Sequence, residues 1–343
     1  MKTAIVLFNL GGPDRPEAIK PFRVNLFSDK AIIRAPWFIR VWLSRLIARS
    51  SAKAAYENYQ LMGGRSPLLE LTAQQARALE AQLGDEYRCF IAMRYWHPFA
   101  AETVRQVKDW APERVLLLPL YPQFSTTTTG SSLSDWREAA AKAGLIIPVT
   151  TLCCWFDDPA YIEATAAMVR EAIETARAQN PDLKLRVLYS AHGLPESIVK
   201  AGDPYQAQVE ATSAAVGARL ADMGVEHLVC YQSRATPQKW LEPSTIQAIE
   251  QAGRDGVGLV VVPIAFVSDH IETLVELDIE NRHLAEENKV QLYVRARVAN
   301  DDPAFIAALA GLVKRAGETG LCKEGGRCGA AHKDCPWERQ RAS

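Results

Sequence analysis

The chain has 343 residues, more than one typical core holds, and its net charge of −1 gives no bulk basic field that would attract nucleic acid. Hydrophobic residues at 48% and charged residues at 23% describe an ordinary globular protein, and no apolar run approaches the length of a transmembrane helix. Seven cysteines, an odd number without a regular framework, point to a reducing compartment with free thiols and leave room for a metal site.

The elements follow in chain order. Met1 to Phe8 is too short an apolar stretch for a signal peptide, and Asn9-Leu10-Gly11-Gly12-Pro13-Asp14 stands where a cleavage site would be needed. We read a first strand ending in a Gly/Pro turn, and with it a cytoplasmic location. Ile32 to Arg49 is an apolar and aromatic helix with Arg34, Arg40, Arg45 and Arg49 and no acid. That composition over 31–49 suits a membrane interface. Its alternative is a helix packed on its own domain with snorkelling arginines. Leu71 to Leu83 is helical in pattern, Phe90 to Met93 a strand that ends at Arg94 and Tyr95, and Val115 to Leu118 a strand that runs to Pro119 and Tyr121. The hydroxyl-rich run Thr126 to Ser132 follows Phe124. Ser131 or Ser132 would cap a helix there, and the run is longer than capping needs.

The second half begins near Asp157-Asp158-Pro159 or Asn180-Pro181-Asp182. Helical patterns cover Tyr161 to Arg177 and Tyr205 to Met223. Strands cover Arg186 to Ala191, which ends at His192-Gly193, and Leu228 to Tyr231, which ends at Gln232 and Ser233. A third, Val260 to Val262, meets Pro263, which cannot donate to a ladder, so pairing stops there. Beyond it Glu272, Glu276 and Glu280 recur at i, i+4 on a helix, a spacing at which like charges repel. A carboxylate row beside His270, just past a buried strand, sits where open α/β sheets bind ligands. Histidine nitrogen with carboxylate oxygen suits a borderline divalent metal, iron(II) or zinc. The tail holds Cys322, Cys328 and Cys335 in a glycine-rich segment; three thiolates need a fourth ligand, from Cys153 or Cys154 or locally from His332.

The three strand-plus-loop units recur in the same order in both halves, with matching trailing Gly/Pro, and longer helical patterns lie between them. The expected fold is α/β with two parallel sheets, one per half. Domain limits are expected at 1–155 for a first lobe carrying the apolar lip, 156–318 for a second carrying the His/Glu site, and 319–343 for the cysteine-rich tail. No Walker A run and no G-x-G-x-x-G is present, so a nucleotide cofactor is not indicated, and no G-x-S-x-G supports serine hydrolysis.

These pieces together resemble ferrochelatase over nearly the whole chain. The resemblance rests on Leu10 to Pro13, Gly63 to Pro67, Arg94-Tyr95, Tyr121 to Ser132, Ser190 to Pro195, Tyr231 to Ser233 with Pro237 and Trp240, and Asp269 to Leu274. It implies two Rossmann-like lobes with a porphyrin cleft between them, and iron(II) as a substrate. It implies that His192 is the pyrrole-proton acceptor or metal-side histidine opposite Glu272, with His270 in support. Glu276 and Glu280 continue an acidic path on a helix unwound toward π geometry. Ile33, Arg94, Tyr95, Tyr121, Phe124 and Trp240 fall in the porphyrin pocket. The tail cysteines resemble the [2Fe–2S] ligands of some members, with Cys154, Cys322, Cys328 and Cys335 as the candidate set. The expected reaction is insertion of Fe(II) into protoporphyrin IX. The rivals are coproporphyrin III as substrate, a non-catalytic porphyrin or haem carrier, and a zinc hydrolase using His192, His270 and Glu272.

Overall fold

The computed structural model describes residues 1–234 and 238–319. In chain order the elements are β1 (Thr3–Asn9), α1 (Ile19–Ser28), α2 (Trp37–Ser50), α3 (Ala52–Gln60), α4 (Leu68–Leu83), β2 (Tyr87–Met93), α5 (Ala100–Trp110), β3 (Arg114–Pro119), α6 (Thr129–Lys142) and β4 (Val149–Thr151). There follow α7 (Pro159–Gln179), β5 (Leu185–His192), α8 (Glu196–Lys200), α9 (Tyr205–Arg219), β6 (Glu226–Gln232), α10 (Thr245–Asp255), β7 (Gly258–Pro263), a π-helix (Glu272–Glu280), α11 (Asn281–Glu287), β8 (Tyr293–Arg295) and α12 (Pro303–Thr319). Contacts divide the described residues into two compact units, Met1–Cys154 together with 309–319, and Trp155–Ala308.

Each unit holds one four-stranded sheet, ordered β2-β1-β3-β4 in the first and β6-β5-β7-β8 in the second, with all pairs parallel. The two orders are the same when strands are counted within each unit, which is what the recurring strand-plus-loop units predict. All seven residues of β1 and all six of β7 are buried, and both are apolar through their middles, Ala4 to Phe8 and Leu259 to Val262, as parallel strands covered on both faces are. The prolines act alike in both sheets. Pairing of β3 with β1 ends at Phe8 and Pro119, and pairing of β7 with β5 ends at Ser190 and Pro263.

Helix starts follow local chemistry. The Asp158 carboxylate accepts from the backbone of Ala160 and Tyr161 and Pro159 opens α7; Ser244 and Gln247 form a reciprocal capping box on α10. The run expected to be helical to Met223 ends earlier, at Arg219, and passes through a 3-10 turn over Ala221–Met223. Among the described residues no helix is long and apolar enough to cross a membrane.

Strand order sets where chemistry can sit. In a sheet ordered 2-1-3, connections leave the first strand in opposite directions, and a crevice opens at the carboxyl ends between the first and third strands. In the second unit that crevice lies at the tips of β5 and β7. His192 is the last residue of β5, and the chain leaving Pro263 leads to the π-helix.

Candidate active site

His192 reaches the tip of β5 beside Gln232, its register partner at the tip of β6. The next residue is a glycine because the space is taken. A Cβ on Gly193 would lie 2.9 Å from the Gln232 carbonyl oxygen and 3.2 Å from Trp240 Cε3, and the Gly193 N–H donates to that carbonyl at 2.8 Å. Trp240 is brought in by a bridge to Pro195 and packs against this turn. His192 Nδ1 then lies 2.9 Å from Glu272 Oε2 at the start of the π-helix.

One turn further, the Glu276 carboxylate is held from below. Ser233 donates to it through both its N–H, at 2.9 Å, and its hydroxyl, and Gln232 Nε2 donates at 3.1 Å. Ser233 has φ +65, the left-handed region, which costs a non-glycine residue about 1–2 kcal/mol. The gain is that both donors point at one carboxylate. Gln232 is in turn oriented because its Oε1 accepts from the buried Ser190 hydroxyl at 2.7 Å, so its amide must face Glu276.

The charges follow from these contacts. Burial pulls the His192 imidazole down, but the Glu272 charge, its hydrogen bond and Glu276 outweigh burial, so its pKa is raised. Burial raises Glu272, yet the His192 and His270 imidazoles and the hydrogen bonds hold it well below the usual carboxylate range. Glu276 is raised, first by burial and then by the Glu272 charge. His270 is lowered by burial; its ring meets Phe266 edge-on at 4.6 Å, and its Nδ1 is buried with no hydrogen-bond partner among the described residues. The site thus combines an ionised carboxylate on an imidazole, a carboxyl biased toward its protonated form, and a second histidine biased neutral.

A second cluster forms in the first unit around Asp29, which is 6% exposed. Its Oδ2 accepts from Arg94 Nη2 at 2.9 Å, from the Tyr95 hydroxyl at 2.8 Å and from the Ser131 hydroxyl, and its Oδ1 accepts from the Ala31 N–H at 2.8 Å. Arg94 also donates through Nε to Ser131 at 2.7 Å and lies over the Tyr95 ring at 5.0 Å. Burial alone would raise Asp29; the donors from Ser131, Ala31, Arg94 and Tyr95 prevail and lower it.

The structure therefore brings His192, Glu272 and Glu276 together, with His270 and Trp240 beside them, and separately joins Arg94 to Tyr95. Tyr121 follows β3 with its hydroxyl buried beside Ser132, Phe124 is buried at the approach to α6, and Ile33 is half-buried ahead of α2. Glu280, at the end of the π-helix, is exposed. Cys154 Sγ lies 3.9 Å from Cys153 Sγ, while Cys322, Cys328 and Cys335 lie outside the described residues. Among the described residues no group of three or more His, Cys, Asp or Glu side chains could hold a metal ion.

One expectation is corrected: neither Ser131 nor Ser132 caps α6, which starts at Thr129 without a side-chain cap, because Asp29 and Arg94 take the Ser131 hydroxyl. The sequence reading also missed Asp29 and assigned no role to Gln232 or Ser233. A lone aspartate after an apolar helix was the signal for the first, and two polar residues ending an apolar strand for the others.

The fold is that of a chelatase. It is shared with SirB from Bacillus subtilis, solved with Fe3+, at a TM-score of 0.56 and 11% identity over 95% of this chain and 98% of that one. It is also shared with the sirohydrochlorin chelatase SirB of the spizizenii subspecies, solved with cobalt, at a TM-score of 0.54 and 12% identity over 95% and 98%. The family profile described as ferrochelatase matches residues 2–317, and the ferrochelatase of Caulobacter vibrioides is 52% identical over 98% of this chain and 97% of its own length. The chain belongs to the ferrochelatase family. It is a metal chelatase, a lyase whose substrates are a porphyrin and ferrous iron.

Proposed function

We propose that the chain inserts Fe(II) into protoporphyrin IX at His192 and Glu272, with release of two protons. The observation that carries this is the His192–Glu272 pair, 2.9 Å apart at the carboxyl end of β5. Neutral His192 takes a proton from a pyrrole nitrogen as the metal enters, and the ionised Glu272 stabilises the imidazolium so formed. Glu276, raised by burial and by its neighbour's charge, receives a proton at modest cost and passes it along the helix toward exposed Glu280. His270, biased neutral, supports the pair. Iron is a substrate here, so few protein ligands serve better than a closed tetrahedral site, which would retain it. Arg94, Tyr95, Tyr121, Phe124, Trp240 and Ile33 are assigned to the macrocycle on the family resemblance; binding energy spent on a distorted macrocycle lowers the barrier to insertion.

Two further assignments belong to this reading. Residues 31–49 lie at a membrane surface. Trp37, Phe38, Trp42 and Leu46 on α2 are exposed by 71%, 60%, 63% and 48%, while Arg40 is turned back to donate to the carbonyls of Ser28 and Ala35. A [2Fe–2S] cluster on Cys154, Cys322, Cys328 and Cys335 is assigned on residue type; visible absorption of the anaerobically purified protein, lost in Cys328→Ser, is its test. The reaction is tested by anaerobic metallation followed by absorbance, with protoporphyrin IX against coproporphyrin III. Faster turnover of protoporphyrin IX supports the reading, and preference for coproporphyrin III overturns its substrate assignment.

A further inference from the structure

The acidic residues ride on a helix that is wound as π over nine residues, Glu272–Glu280. Such a winding is rare and usually limited to one turn, so something outside the helix must hold it. The hydrogen bonds identify what does. The Asn281 N–H, which in an α-helix would donate to the Leu277 carbonyl, donates instead to Glu276. The Leu277 carbonyl, which that N–H does not reach, accepts from the Tyr293 hydroxyl at 2.7 Å in a buried contact. Tyr293 lies on β8, whose register partner on β7 is Leu259.

Two residues along β8, on the same face of the strand, Arg295 grips the next helix residue. Its Nε and Nη2 donate to both oxygens of Asp278 at 2.7 and 2.8 Å. Its Nη1 also lies 3.4 Å from Asp269, which precedes the π-helix and is fixed by Asn300. A single guanidinium therefore ties both ends of the acidic segment to one edge strand. Arg282 completes the contact from the helix side: it donates to the Tyr293 carbonyl at 2.9 Å and to the Asp278 carbonyl at 3.1 Å, and it lies over the Tyr293 ring at 4.9 Å.

We propose that Tyr293 and Arg295 are positioning residues of the metallation site, a clamp from β8 that holds 272–280 in π geometry and so sets Glu272 and Glu276 against His192 and Ser233. Neither touches a reacting group. Rewinding to α would return the Asn281 N–H to Leu277, shift that carbonyl away from the Tyr293 hydroxyl as the helix narrows, and rotate the glutamates about the helix axis. The inference rests on the roles given above to Glu272 and Glu276.

The test compares Tyr293→Phe, which keeps the ring and the Arg282 stack, with Tyr189→Phe. The control also loses a part-buried hydroxyl contact in the same sheet, the 3.1 Å contact of Tyr189 with His227, away from the π-helix. Backbone hydrogen exchange over 272–282 and the kinetics of iron insertion are followed together. The expected result for Tyr293→Phe is faster exchange in that segment and a kcat about 10- to 100-fold lower. Its porphyrin KM should stay within about twofold, and the control should change neither exchange there nor kcat. Arg295→Lys, which keeps the charge and loses the fork, should shift both readouts in the same direction and carries the test if Tyr293→Phe does not fold. Unchanged exchange, or unchanged kcat with faster exchange, overturns the clamp. A parallel Glu272→Gln variant separates the two ideas: retained turnover there removes the underlying assignment, whereas lost turnover there with unchanged kcat in Tyr293→Phe removes the clamp alone.

Discussion

Asp29→Asn is nearly isosteric and alters a carboxylate that accepts four donors. Asparagine has one oxygen and one amide. If the oxygen faces Arg94, Tyr95 and Ser131, the amide meets the Ala31 N–H; turned the other way, it meets the donor-only Arg94 guanidinium and two hydroxyls that must turn to accept. Removing one partner of a buried ion pair costs about 3–5 kcal/mol. Arg94 is 21% exposed and its Nη1 lies 3.8 Å from Asp135, so the lower part of that range applies. We expect a loss of about 3 kcal/mol, or about 6–12 °C in melting temperature for a unit of this size, read by circular dichroism at neutral pH. The pH dependence has a definite sign. Asp29 is lowered in the folded state, so its contribution is fully present above the unfolded carboxylate pKa, about 3.9, and is lost as pH falls through the lower folded value. The gap between wild type and variant should therefore narrow in acid. A neutral-pH difference below about 1 kcal/mol, or a gap that widens on acidification, would refute the reasoning.

The remaining predictions concern the second unit and the lip. In metal-free protein, Glu272→Gln should lower the His192 pKa, because the charge that raises it is gone; a histidine NMR titration reads this, and an unchanged value contradicts the pairing. Gly193→Ala should cost about 2–4 kcal/mol, since the new Cβ is forced against the Gln232 carbonyl and the turn hydrogen bond is strained; denaturant melts check it, and a neutral outcome denies the close approach. Trp37→Ser with Trp42→Ser should weaken sedimentation with anionic vesicles at least about tenfold while leaving the melting temperature in place, because both rings are exposed; unaltered sedimentation removes the membrane assignment.

What the sequence made legible, and what it hid, have physical reasons. β1, β3, β5 and β7 were legible because strands buried on both faces are apolar through their middles, and Pro119 and Pro263 mark the ends of β3 and β7 by what a proline cannot donate. His192 at a strand tip and the Glu272–Glu276 row each carry a local signal, but their meeting spans 80 residues and was expected only through the resemblance. Asp29 was not, because its meaning lies in partners 65, 66 and 102 residues away. The same long-range competition defeated the capping role expected of Ser131. Residue spacing alone marks the glutamate row but not its winding, since a run at i, i+4 reads the same in α and π. The Tyr293 hydroxyl that donates to the Leu277 carbonyl comes from a three-residue strand with no pattern of its own.

The most direct measurement is anaerobic iron insertion by wild type and His192→Ala, with porphyrin binding followed by fluorescence on the same samples. The account predicts turnover by the wild type, and by the variant a folded protein that binds porphyrin and inserts no iron. Insertion at the wild-type rate by His192→Ala would show that the pyrrole protons leave by another route, and the His192–Glu272 pair would lose its role.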